Sequence, residues 1–264
     1  MLKDITIGQY IPGDSLLHKL DPRAKIIALI LYMVALFLCN SVIAYLQVTV
    51  YTLLIIALSR VPIIMLFKGL KPLAIILALT FTLHVFMTPG QIIWELGFLK
   101  ITIEGIRQAV FMTVRLIYLV TITSLLTLTT TPISLTDGIE YLLKICFIPI
   151  AHELAMMMTI ALRFIPTLIE ETDKIMKAQM ARGADFDSGG VMAKAKSLIP
   201  LLVPLFISSF RRADELAMAM EARCYRGGEG RTRMKQLRMV RRDVLVLVVS
   251  IVFLGIVLFT RYRM

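Results

Sequence analysis

Apolar and polar positions fall in long blocks along this chain. Residues 24–39 and 41–58 are two apolar runs divided only by Asn40-Ser41, which predicts a tight helical hairpin. The first run is short for a span of about 20 residues, and recruiting Pro22 to Asn40 completes it. Arg60, Lys68 and Lys71 then cluster around Pro62, Gly69 and Pro72, the pattern of a basic loop on the cytoplasmic side. A third run, residues 72–88, ends at Thr88-Pro89-Gly90. A mixed-charge loop to about residue 108 follows, with Trp94, Glu95, Lys100, Glu104 and Arg107, and suits the outer side with Trp94 at the interface. Residues 109–129 form a fourth run and residues 243–259 a last one.

Between these lies a different kind of sequence. In residues 130–242 charges recur every few positions, yet apolar patches persist. Leu154 to Ile165 and Leu198 to Phe210 are too short to span comfortably and carry Pro166, or Pro200 and Pro204. They predict long, kinked helices, half embedded and half cytoplasmic. Asp185, Asp187, Ser188, Gly189 and Gly190 mark the turn between them. The organisation is therefore 1–129 with four spans, 130–242 as a cytoplasmic region, and 243–264 as a final span and tail. The fold class is an all-α polytopic membrane protein with about five transmembrane helices plus long cytoplasmic helices.

Composition agrees: 58% of the 264 residues are hydrophobic and the mean hydropathy is +0.81, beyond what soluble domains carry. The formal charge of +11 is concentrated at Arg223, Arg226, Arg231, Arg233, Lys235, Arg238, Arg241 and Arg242, just before the last span. A basic flank there sets a cytoplasmic N-terminus and meets anionic lipid headgroups. It leaves Arg261-Tyr262-Arg263 outside, a mild strain on the same rule. No aromatic-interleaved basic motif points to nucleic acid. Cys39, Cys146 and Cys224 are too scattered for a disulfide framework or a metal site, and no cleavable signal peptide is visible.

Candidate chemistry is sparse. There is no G-x-x-x-x-G-K-[ST], so nucleotide phosphates are not cradled here in the P-loop manner. His152-Glu153 begins like a zinc-protease helix, but Met156 stands where the second histidine belongs. His84 reads as a hydrogen-bonded packing residue. Thr121, Thr123, Thr127 and Thr129 read as helix back-bonders. Arg115, inside the fourth span, either snorkels to the outer interface or pairs within the bundle. Sixteen methionines, among them Met156-Met157-Met158, suit either core filling or an adaptable surface.

Two stretches stand out. Leu168, Thr172, Ile175, Met176 and Gln179 recur at helical spacing and lead into Ala181-Arg182-Gly183. Phe210, Ala213, Ala217, Met220 and Cys224 do the same around Ala222-Arg223-Cys224. Gly183 and Gly227 are the expected helix stops. A single arginine at a helix end is accounted for by the macrodipole. Two copies, each between small residues, favour helix ends that sink into grooves on another protein and present a rigid fork of donors.

Paired Ala-Arg-Gly signatures are similar to those of the transmembrane T component of energy-coupling factor (ECF) transporters, the ABC-type importers of vitamins and trace metals. Ala181-Arg182-Gly183 matches fully, and Ala222-Arg223-Cys224 departs at its last position. The N-terminal phrase Gly8-Gln9-Tyr10-Ile11-Pro12-Gly13-Asp14-Ser15, running on to Asp21-Pro22-Arg23, also resembles that family, especially T components shared by several substrate-binding partners. From the residues alone, Asp21-Pro22 is an N-cap followed by a proline at the first helical position.

The resemblance implies a non-catalytic coupling subunit. Residues 130–242 would be its coupling region, and the six signature residues would dock two ABC-type ATPase subunits. ATP and Mg would be bound by those partners, and substrate by a separate, interchangeable S component in a prokaryotic cell membrane. The alternative is a solitary permease carrying solute itself, but beyond His84 and Arg115 its spans offer threonines and little else polar. An intramembrane enzyme lacks any nucleophile or metal constellation.

Overall fold

The structure is a computed structural model of the chain, and it describes residues 10–96, 99–184, 186, 190, 192, 196–228 and 237–263; of residues 94–100 only the backbone path is described. The element order is α1 (Pro22–Leu38), α2 (Val42–Ser59), α3 (Ile63–Leu70), one 3-10 turn (Lys71–Leu73), α4 (Ala74–Met87), β1 (Ile92–Leu96), β2 (Leu99–Thr102), α5 (Ile103–Thr129), α6 (Pro132–Ile145), α7 (Ala151–Ala181), α8 (Ile199–Ala222) and α9 (Arg241–Arg263). The chain divides into two compact units, Gly8–Gly138 with Leu237–Met264, and Ile139–Gln236.

The first unit is a helical bundle whose ends are written in local chemistry. Asp21 caps α1, its carboxylate accepting from the Arg23 N–H, with Pro22 at the first helical position. Ser41 caps α2 by accepting from the Ala44 N–H, which closes the Asn40-Ser41 hairpin tightly. The core gathers Tyr32, Leu36, Val48, Leu125, Phe253 and Val257 from α1, α2, α5 and α9. Tyr51 stacks on Phe253 with centroids 4.1 Å apart, and the Tyr32 and Thr52 hydroxyls meet at 2.6 Å. Outward faces stay apolar, as at Ile75, Leu79 and Met87 of α4. A lipid environment makes that arrangement stable, because hydrocarbon rather than water covers those faces.

Buried polar groups lock the bundle from inside. Asp243, 2% exposed, accepts from the Asp21 N–H at 2.8 Å and the Val240 N–H at 2.7 Å. Lys25 donates to the Thr129 carbonyl and the Thr130 hydroxyl, each at 2.9 Å. His84 is hydrogen-bonded to the Thr80 carbonyl within its own helix, as the packing reading expects. Thr121 and Thr129 donate back to Ile117 and Leu125.

Several expectations change. Arg60 closes α2, but Lys68 and Lys71 do not lie in a loop: α3, the 3-10 turn and α4 run on as one helical stretch, Ile63–Met87, long and apolar enough to cross a membrane. Pro72, the second residue of the 3-10 turn, is tolerated because that tighter turn does not need the i−4 bond of a regular helix at that point, while Gly69 lies within α3, where a Cβ would stand 3.1 Å from the Ser124 hydroxyl oxygen. The loop expected on the outer side is shorter than expected. It holds the antiparallel hairpin β1–β2, and α5 begins at Ile103 rather than residue 109, capped by Thr102. Gly105 is required where α5 crosses α4: a Cβ there would stand 2.9 Å from the Val85 carbonyl. Arg115 has a partner within the bundle, at the hairpin end of α1. It donates to the Cys39 carbonyl at 2.9 Å and lies over the Phe37 ring. The side-chain placement expected for Trp94 lies outside the described residues.

Five helical stretches among the described residues are long and apolar enough to span: Val42–Ser59, Ile63–Met87, Ile103–Thr129, Ala151–Ala181 and Arg241–Arg263. α1, the first expected span, has 17 residues, and α7 is longer than expected because Leu154 to Ile165 continues through Pro166 as one 31-residue helix. The protein is an all-α, multi-pass membrane protein.

Candidate functional site

The second unit carries both signatures, and each closes a helix in the same way. At the end of α7, the Gly183 N–H donates to the Met180 carbonyl and the Ala184 N–H to the Gln179 carbonyl, both at 3.0 Å. Arg182 is the C-cap residue, with φ −88° and ψ 7°, and Gly183 has φ +88°. This is the Schellman arrangement, which turns the chain through one left-handed residue and satisfies the last carbonyls.

At the end of α8, the Cys224 N–H donates to the Glu221 carbonyl at 2.8 Å and the Tyr225 N–H to the Met220 carbonyl at 3.0 Å. Arg223 is the C-cap, with φ −91° and ψ 11°, and Cys224 has φ +53°. The helix stop is therefore Cys224 and not Gly227, whose own positive φ of 90° comes three residues later. The third signature position is the left-handed one in both copies. Glycine enters that region freely, whereas cysteine does so at a cost of roughly 1–2 kcal/mol.

Ala181, Arg182, Gly183, Ala222, Arg223 and Cys224 are all exposed. No side-chain hydrogen bond or ion pair ties the guanidinium of Arg182 or Arg223 to another group among the described residues. A Cβ on Gly183 would meet nothing within 4 Å. Each helix end thus presents a guanidinium between small neighbours, on open backbone, at the negative end of a helix dipole.

α7 and α8 pack against one another antiparallel. Glu171 accepts from the Ser208 hydroxyl and, at 3.1 Å, from Arg212, while eight residues further along α7 the Gln179 amide donates to the Pro200 carbonyl, eight residues back from Ser208. The signatures consequently sit at opposite ends of the pair, on the order of 30 Å apart at 1.5 Å per residue. They are not brought together into one site.

Sequence reasoning missed what lies behind the second signature. The Tyr225 hydroxyl and His152 Nε2 stand 3.3 Å apart, and His152 Nδ1 is 3.1 Å from Glu140 Oε1. Glu140 is buried and also holds Lys144 at 2.9 Å. Gly228 packs so close to the imidazole that a Cβ would stand 2.6 Å from His152 Cδ2. The only signal for this cluster in the sequence was the i,i+4 pair Glu140 and Lys144. The turn expected at Asp185, Asp187, Ser188 and Gly189, and the basic residues Arg231, Arg233 and Lys235, lie outside the described residues. Among the described residues no three His, Cys, Asp or Glu side chains converge to hold a metal ion.

Comparison with known proteins agrees with this architecture. The CbiQ family, described as cobalt transport protein, matches residues 13–234. The chain is 57% identical over 265 residues to the energy-coupling factor transporter transmembrane protein EcfT of Ruminiclostridium cellulolyticum, covering 99% of each chain. It is 58% identical to the protein of that name from Clostridium kluyveri, covering 99% of this chain and 98% of the other, and 52% identical to that of Bacillus subtilis, covering 99% and 100%. With the whole length of those relatives matched and a multi-pass helical fold in place, the chain belongs to the CbiQ family of energy-coupling factor transporter transmembrane components.

Proposed function

We propose that this chain couples ATP hydrolysis in two partner ABC-type ATPases to uptake of a vitamin or other micronutrient through a separate membrane S component. Arg182 and Arg223 each enter a groove on one ATPase, and the small residues beside them let the helix end approach closely. The observation that carries this reading is the repetition of one geometry. Two exposed guanidinium groups without partners among the described residues close opposite ends of one antiparallel helix pair. Two equivalent sites on a pair of ATPases are the simplest surface that such a pair complements.

The chain itself is non-catalytic in this account, and ATP and Mg are held by the partners. The S component is interchangeable and chooses the substrate. The protein sits in the cytoplasmic membrane of a prokaryote with its N-terminus and the α7–α8 pair on the cytoplasmic side. Arg238, Arg241 and Arg242, immediately before the apolar part of α9, support that orientation. Closure of the ATPases on ATP moves the two docked ends, and packed helices pass such a displacement on as rigid units. Uptake of labelled substrate in cells tests this. The Arg182→Ala/Arg223→Ala chain, produced with its partners, is expected to abolish ATP-driven uptake, and wild-type uptake would rule the reading out.

A further inference from the structure

One buried-facing contact fixes how the two arginine-bearing helices slide against each other. Glu171 projects from the middle of α7 and takes both Ser208 and Arg212 of α8, one on each carboxylate oxygen. The Arg212 guanidinium also lies over the Phe164 ring of α7, 5.8 Å from its centroid. The same arginine is thus held on two sides by one helix, and its side chain and that of Glu171 are only 29% and 24% exposed. A planar fork held by a carboxylate and an aromatic face tolerates little displacement.

The position of this clasp along the chain is regular. Eleven residues separate Glu171 from Arg182, and eleven separate Arg212 from Arg223. Eleven residues make three helical turns to within about 20°, roughly 16 Å of length, so each arginine returns to nearly the face of its clasp residue. Both intervals are free of proline, since Pro166 and Pro204 lie on the other side of the clasp in their helices. Each arm is therefore an unbroken rod. Because the helices run antiparallel, the arms point in opposite directions.

We propose that Glu171, with Arg212 and Ser208, is the register lock of the α7–α8 pair: it sets the distance between the two docking arginines. A slip of one helix past the other by a single turn would change that distance by about 5 Å, enough to take one arginine out of its groove while the other stays seated. The lock rests on the docking reading of Arg182 and Arg223 for its role in transport, but its effect on register is a property of this chain alone. Glu171 and Arg212 act through the arginines and are positioning residues.

The test has two arms. In the full chain alone, with Cys39→Ala, Cys146→Ser and Cys224→Gly, spin labels at Lys177→Cys and Met218→Cys report the register by dipolar spectroscopy. The wild-type pairing is expected to give one narrow distance, Glu171→Gln and Arg212→Gln a broadened or shifted one, and the exchange Glu171→Arg/Arg212→Glu a narrow one again. An unchanged distribution in the single variants, or an exchange no narrower than either, overturns the lock. In the assembled complex, the single variants are expected to lower uptake per ATP hydrolysed about tenfold, and the exchange to recover most of it. Wild-type coupling in the single variants overturns the role in transport. If the distances respond as expected but Arg182→Ala/Arg223→Ala still binds its ATPases, the lock stands and the docking reading falls.

Discussion

The two helix ends that carry the signatures share one backbone and differ in what surrounds it. Both close with the same pair of hydrogen bonds around a left-handed residue, and both place arginine at the C-cap. The α7 end uses Gly183, which enters that conformation without cost, and a Cβ there would meet open space. The α8 end uses Cys224, which pays to be left-handed, and Tyr225 then reaches His152, backed by the buried Glu140. One end is cheap to form and, among the described residues, untethered at its cap. The other is strained at its cap and held from behind. Side-chain support at the second end thus offsets what glycine supplies at the first, and identical presentation of an arginine does not require identical sequence.

That comparison can be broken in several ways. The largest effect is expected from the arginines themselves: Arg182→Ala and Arg223→Ala should each weaken binding of one ATPase by about 2–5 kcal/mol, as loss of one half of a desolvated charge pair does. Titration of purified ATPase against the chain in nanodiscs measures both, and a large loss from one variant with none from the other would end the equivalence of the two ends. Next comes His152→Ala, which unties only the second end and leaves the buried Glu140 without that partner. A loss of about 1–3 kcal/mol of local stability is expected. Amide exchange should quicken across residues 220–225 and stay unchanged across 179–184; equal quickening at both ends would contradict the tether.

Smaller effects sharpen the role of the third signature position. Gly183→Ala puts a Cβ into open space but at positive φ, so only the conformational cost of about 1 kcal/mol applies. Cys224→Gly runs the other way and should relieve part of a similar cost, offset by the freedom glycine gains in the unfolded chain. Thermal unfolding in detergent should show the first lowered and the second unchanged or slightly raised. A Cys224→Gly chain clearly less stable than the parent would mean that the cysteine side chain contributes something its exposure does not show.

What was legible in the sequence was local. Asp21-Pro22 announces a helix start, and Asn40-Ser41 a tight hairpin, because a cap is made by residues within three of each other. The apolar runs announce spans for the same reason, and the two signatures could be singled out because each is a contiguous word. What was not legible depends on partners far away in the chain. Whether Arg115 snorkels or pairs was open because its acceptor, the Cys39 carbonyl, is 76 residues distant. Asp243 looks like one more charge in a basic flank until the Asp21 N–H arrives. Lys68, Lys71 and Pro72 mimic a loop, although the chain continues through them as helix. Gly227 outranked Cys224 as a helix stop on composition alone, while the backbone hydrogen bonds place the left-handed turn at the cysteine.

The most direct measurement is a pull-down from detergent-solubilised membranes with tagged chain, wild type against Arg182→Ala/Arg223→Ala, with the ATPases in the eluate quantified per chain. The wild type is expected to bring down two ATPases and the double variant none, while both still retain the S component. Equal recovery of ATPases by the two chains would contradict docking through the arginines, and absence of any ATPase from the wild-type eluate would contradict the coupling role itself.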